Sequence, residues 1–194
     1  WGNNHLVLLA KNYQGYKNLM KLVTAGYLEG FYYRPRVDID LLKEYNEGLI
    51  CLSGCLKGEL PEKMLKGDFE GAKKTAIMYS QIFNGRYYLE IQNHGIPEEE
   101  ANIANMKKLA SELSLPLVCT NDAHYAKQNH WEAHDIHICL GTGKERSDQN
   151  RLRYATPEFY FKSQDQTFKL FKDFPGAIEN TRKIVDSINL ELPI

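Results

Sequence analysis

The sequence predicts an α/β fold in which a parallel sheet is flanked by helices, as a barrel or a doubly wound sheet. Short apolar runs alternate with longer helical patterns, giving β-then-α units of about 35 residues. The first run, His5-Leu6-Val7-Leu8-Leu9-Ala10, is apolar nearly throughout, as strands buried on both faces are. The chain has 194 residues, enough for one compact domain with a buried core.

After the first strand, a helix is predicted over Gly15 to Tyr27, with Tyr16, Leu19, Met20 and Val23 sharing a face. A short helix around Asp38 to Tyr45 leads to the second strand, Gly48 to Ser53. Helices follow over Glu59 to Lys66 and Asp68 to Phe83, the second capped by Asp68. Tyr87 to Gln92 reads as the third strand. Pro97 then opens an acidic first turn, Glu98-Glu99-Glu100, on a helix reaching Leu113. The fourth strand is Leu115 to Thr120, and a helix covers Gln128 to Leu140. Its Trp131, Ile136, Ile138 and Leu140 indicate packing. A charged loop, Gly141 to Ala155, precedes a short strand, Glu158 to Lys162, and helices over Gln164 to Asp173 and Gly176 to Ile188.

Composition narrows the function classes. With 24 basic and 25 acidic residues the formal net charge is −1, so duplex nucleic acid held by charge alone is not indicated. The cysteines Cys51, Cys55, Cys119 and Cys139 form no CxxC pair and no small-domain disulfide framework. With no signal peptide and no long apolar span, a cytoplasmic setting without membrane contact is expected. Neither GxGxxG nor GxxxxGK occurs, and no GxSxG nucleophile elbow is present. The chain begins at Trp1 and ends Glu191-Leu192-Pro193-Ile194, which reads as a segment cut from a longer polypeptide.

Functional residues of parallel α/β folds collect where strands end. The fourth strand ends Thr120-Asn121-Asp122-Ala123-His124, so Asp122 and His124 project to one side of an extended segment. A carboxylate with an imidazole suits zinc, manganese or iron. The competing reading makes Asp122 a helix cap and His124 an ordinary surface residue. Cys55 follows Gly54 at the second strand's exit, as a cleft thiolate or as a small residue in a tight turn. His94 ends the third strand, and His5 opens the first. His130, His134 and His137 share a helix face, and two histidines four apart can chelate an ion, but HExxH is absent and the apolar residues of this helix favour packing. The patch Phe31-Tyr32-Tyr33-Arg34-Pro35-Arg36 and the arginines Arg146, Arg151 and Arg153 could contact phosphates or bases, or simply be solvated loops.

These motifs, taken in order, resemble one family. His5-Leu6-Val7-Leu8-Leu9-Ala10-Lys11-Asn12, Tyr27-Leu28-Glu29-Gly30-Phe31-Tyr32 and Glu47-Gly48-Leu49-Ile50 with Ser53-Gly54-Cys55 are similar to the PHP domain of the bacterial DNA polymerase III α subunit. The likeness continues through Tyr88 to Gly95, Thr120 to Tyr125, Glu132 to Asp135 and Ala177 to Thr181. It implies a distorted seven-stranded (β/α) barrel, here incomplete, over residues 1–163, and a helical extension over 164–194. It implies a cleft for divalent metals, zinc or manganese, with His5, Cys55, Asp122 and His124 as ligands. Asp122 and His124 would be catalytic, and His94 would stand behind the ligands or on the substrate side.

By the same resemblance, the parent would be a magnesium-dependent DNA-directed DNA polymerase working with DNA and other replicase subunits. Its PHP region would be a metal-dependent phosphoesterase or 3′–5′ proofreading exonuclease. Two alternatives remain: a decayed scaffold that docks a separate proofreading exonuclease subunit, and a free-standing PHP phosphatase acting on a small phosphate ester. The family's HxH strand, Asp-His-Gly turn and further acidic ligand do not precede His5. Weak metal binding, little nuclease activity of this chain alone and an exposed parallel sheet edge that invites dimerisation are therefore expected.

Overall fold

The computed structural model describes residues 3–192. The readings that rest on Trp1, Pro193 and Ile194 lie outside these residues. The elements run β1 (Val7–Ala10), α1 (Tyr13–Leu28), α2 (Ile39–Glu44), β2 (Leu49–Leu52), α3 (Glu59–Leu65), α4 (Phe69–Ile82) and β3 (Tyr87–Ile91). Then come α5 (Pro97–Leu113), β4 (Leu117–Cys119), a 3₁₀ turn (Gln128–His130), α6 (Trp131–Thr142), α7 (Gln164–Leu170) and α8 (Pro175–Ser187). Local capping sets several starts: the Asn12, Asp38 and Asp68 side chains accept from the third main-chain N–H beyond each. Ser163 and Gln166 form a reciprocal capping box on α7.

The four strands form one sheet in the order β1-β2-β3-β4. β2, β3 and β4 are parallel, but β1 is antiparallel to β2, with Val7 opposite Leu52 and Ala10 opposite Leu49. The expectation of a wholly parallel sheet is corrected here. Continuous apolarity reports burial on both faces, not strand direction, so nothing in the first run distinguished the two cases. The segment Glu158 to Lys162 is not a strand either. It makes a single bridge, Tyr160 to Tyr125, because the stretch beside it is a loop. Among the described residues the sheet has four strands, and no closed seven-stranded barrel is formed.

Alternation along the strands divides the core between the sheet's two faces. Leu49, Cys51, Tyr87, Leu89, Ile91 and Cys119 join the larger cluster, with Leu22, Leu42, Leu60, Met106 and Leu109 from the helices and Phe83 just after α4. Ile50, Leu52 and Val118 face the other way, against Ile184 of α8. Fully buried residues of this size each stabilise by roughly 1.5–3 kcal/mol.

The buried stripe of α1 is Gly15, Asn18, Leu22 and Gly26, while Met20 and Val23 are exposed, which corrects the predicted face. Close approach explains it: a Cβ at Gly15 would stand 1.9 Å from the Gly48 carbonyl oxygen, and Asn18 donates to the Glu47 carbonyl. On α6 only Cys139 is buried, and Trp131, Ile136 and Leu140 stay exposed, so the packing expected of them is not made.

The outer edge of β4 is covered. α8 packs beside β4, where Asn180 Nδ2 donates to the Leu117 carbonyl (2.8 Å) and Thr181 Oγ1 to that of Cys119 (3.2 Å). These are the outward carbonyls of β4, since those of Pro116 and Ile91 serve the β3–β4 ladder. All four cysteines are free, and among the described residues no helix is long and apolar enough to cross a membrane. Combining Asn180→Ala with Thr181→Val removes both side-chain caps. The expected loss is about 1 kcal/mol per bond in urea unfolding, with concentration-dependent self-association in sedimentation velocity. An unchanged urea midpoint and a monomeric profile would show that the caps do not protect this edge.

Candidate metal centre

The residues of interest gather at the end of the sheet where β2, β3 and β4 finish. β1 runs the opposite way, so the residue that precedes it lies at that same end. His5 accordingly meets the loop after β2: its main-chain N–H donates to the Lys57 carbonyl (2.9 Å), and its Nδ1 stands 3.7 Å from Cys55 Sγ. Gly54 makes this approach feasible. Its φ is +85°, and a Cβ there would fall 2.6 Å from the His5 carbonyl oxygen. His5 is exposed and Cys55 half-buried.

After β4 the backbone from Thr120 to His124 is irregular: the Ala123 main-chain N–H donates to the Asn121 carbonyl (3.0 Å) in a tight turn, so the extended geometry expected of Asp122 and His124 is not formed. Asn121 donates to the Tyr160 carbonyl, and the His124 main-chain N–H to that of Phe159 (2.8 Å). Asp122 Oδ2 lies 3.3 Å from His124 Nε2. Asp122 caps no helix: the following 3₁₀ turn begins after Lys127 and has no side-chain cap. The His124 ring is also surrounded. The Tyr154 hydroxyl is 3.1 Å from it, and the rings of His134 and Phe159 lie 5.8 and 5.9 Å away, centroid to centroid.

Glu90, which was not singled out from the sequence, stands between these two exits. It is 4% exposed on β3 and points to the same face as Tyr88. Its Oε2 accepts from the Gly54 main-chain N–H (3.0 Å), and its Oε1 from the hydroxyl of Thr120 and the amide of Gln92. The Ser53 hydroxyl in turn accepts from the Glu90 main-chain N–H (2.8 Å). Burial raises the Glu90 pKa above the ordinary carboxylate value, the hydrogen bonds from Thr120, Gly54 and Gln92 oppose this, and the Asp122 charge adds to it. Burial likewise raises the Cys55 thiol, and the charges of Glu90 and Asp122 reinforce the shift. Both carboxylates thus act on one thiol. The signal in the sequence was a single acid inside an apolar strand, Tyr87 to Ile91, where an uncompensated charge is costly.

His94 is 1% exposed. The Glu99 carboxylate holds its Nδ1 at 2.7 Å and accepts its main-chain N–H, while Nε2 has no partner among the described residues. Its ring stacks on Phe159 at 4.2 Å and 5°, so Phe159 separates it from His124. Among the described residues no three histidine, cysteine or acidic side chains are grouped closely enough to hold one ion. That includes His130, His134 and His137. The structure brings His5 to Cys55 and Asp122 to His124, as two pairs.

Comparison with known proteins follows the same residues. Positions 2–94 match the PHP domain family, a span that includes His5, Cys55, Glu90 and His94. The chain is 48% identical over 94% of its length to the DNA polymerase III subunit alpha of Borreliella burgdorferi, and 46% identical over 97% to that of Treponema pallidum. Against the Thermus aquaticus subunit the identity is 36% over 100% of the chain. In each case the chain spans 16% of the relative's length. These matches extend past residue 94 and take in Asp122 and His124. Residues 2–94 therefore match the PHP domain family, and nearly the whole chain is similar to one segment of the DNA polymerase III α subunits.

Proposed function

We propose that this segment serves a DNA polymerase III α subunit as a metal-dependent phosphoesterase module, acting on DNA as a 3′–5′ proofreading exonuclease. The observation that supports this most is the convergence of His5, Cys55, Asp122 and His124 at one end of the sheet, with Glu90 tying the two exits together. Thiol, imidazole and carboxylate are a donor set suited to zinc or manganese. They stand as two pairs, so a tightly held ion would need further donors beyond these four.

When bound, such an ion supplies Lewis acidity toward a phosphoryl oxygen. The chain's own groups have separate tasks. His5 and Cys55 supply nitrogen and sulfur at the β2 exit, and Asp122 and His124 supply oxygen and nitrogen at the β4 exit. The Tyr154 hydroxyl lies against the His124 ring, 3.1 Å from both nitrogens. Gly54 and Glu90 fix where the exits stand. His94 stays behind Phe159, held by Glu99, and supports the ring stack under His124. The parent subunit would carry out magnesium-dependent DNA synthesis, with DNA and other replicase subunits, a proofreading exonuclease subunit among them, as partners.

The test is hydrolysis of 3′-terminal nucleotides from single-stranded DNA by an α subunit that carries this segment, with manganese or zinc supplied. Asp122→Ala should lower the rate by more than the ten- to hundredfold typical of losing an outer partner of a metal ligand. A rate equal to wild type would refute the reading and favour a docking scaffold. This chain alone, assayed by calorimetry, is expected to bind either metal only weakly. Tight binding abolished by Asp122→Ala would overturn that expectation.

A further inference from the structure

Beside His124 lies a half-open cavity of about 220 Å³ whose lining the metal pairs do not use. Its lining includes the aromatic side chains Trp131, His134 and Tyr154 and the arginines Arg146, Arg151 and Arg153. The three guanidinium groups are not equivalent. Arg151 makes a two-pronged pair with Asp135, has a side chain only 3% exposed, and forms a neutral floor. Arg146 lies at 3.5 Å from both Asp135 and Glu132, loosely held and half-exposed.

Arg153 has no carboxylate within ion-pair distance among the described residues. Its Nη2 donates instead to the carbonyls of Arg146 (3.2 Å) and Asp148 (2.6 Å), which fix its position without cancelling its charge. Against Asp135, the lining therefore presents three cations and one anion, with Glu132 outside it. The loop Gly143 to Ala155 is thus folded back on α6 and brings positive charge to the cavity.

We propose that this cavity binds the phosphate of a nucleotide, with Arg153 and Arg146 on the phosphate and Trp131 against the base. Guanidinium is the side chain best matched to phosphate oxygens, and an accessible indole provides a face for stacking. Trp131 is 41% exposed, although sequence periodicity assigned it to packing, which leaves its ring available at the cavity mouth. The volume falls below the range of about 300–1,000 Å³ usual for larger organic ligands. It suits a phosphate and its sugar, with the base outside. The cavity shares Tyr154 with His124, so a nucleotide seated there lies next to the Asp122–His124 pair.

This rests on the phosphoester-directed reading of the neighbouring pairs, yet the binding itself needs no metal. The test uses Trp131 fluorescence in a Trp1→Phe background, with deoxyadenosine monophosphate titrated in the presence of EDTA. Saturable quenching is expected, with deoxyadenosine at least roughly tenfold weaker and Arg153→Gln weakened about tenfold. Thermal melts should show Arg153→Gln fully folded. Equal affinity for deoxyadenosine and its monophosphate, or wild-type affinity in Arg153→Gln, would overturn the proposal. Nucleotide binding that persists where Asp122→Ala leaves hydrolysis unchanged would refute the hydrolytic reading alone. Hydrolysis that needs Asp122 without any nucleotide-dependent quenching would refute this inference alone.

Discussion

One buried carboxylate holds the end of this sheet in register. Glu90 sits 4% exposed on the central strand β3, and each of its oxygens engages a different neighbour. One accepts from the main chain of Gly54 at the β2 exit, and the other from the Thr120 hydroxyl at the β4 exit. Charge burial of this kind is unfavourable unless hydrogen bonds replace the lost water, and here three donors do so. An apolar residue would fill the space at less cost but would leave the Gly54 N–H without its acceptor. Position, more than stability, is what the carboxylate supplies.

Strand direction complements that constraint. If β1 ran parallel to β2, the residue preceding it would lie at the far end of the sheet from Cys55. Because β1 is antiparallel, His5 reaches the loop that Gly54 opens, and the two backbones approach too closely there for any Cβ. Asp122 and His124 arrive from the opposite side, carried by a β4 whose outer carbonyls are engaged by α8. The PHP family match covers the first of these pairs and the α-subunit relatives cover both. The two pairs thus descend from three strands, and Glu90, which the motif pattern did not mark, hydrogen-bonds to both of the exits that carry them.

Much of the fold was legible in the sequence because its signals are local. Pro97 and the acidic turn after it begin α5, Asp68 caps α4, and the four apolar runs each contain a strand. What was not legible depends on partners distant in sequence. The buried face of α1 is chosen by Gly15 against Gly48, not by its largest apolar side chains. Trp131, Ile136 and Leu140 have the composition of a packed face, but no element covers them. Glu90 looked like part of an apolar strand because its three donors come from positions 54, 92 and 120. Of the site residues expected from the sequence, His5, Cys55, Asp122 and His124 lie at one end of the sheet, whereas His94 is set apart behind Phe159.

On the proposed reading, Glu90 makes one site of two pairs. Cobalt(II) titration reads this directly, since thiolate ligation by Cys55 gives a charge-transfer absorption that the other donors do not. If the pairs act together, Glu90→Ala should weaken cobalt binding roughly ten- to hundredfold and diminish that band, as loss of an outer partner does. Wild-type affinity with an unchanged spectrum in Glu90→Ala would contradict the account.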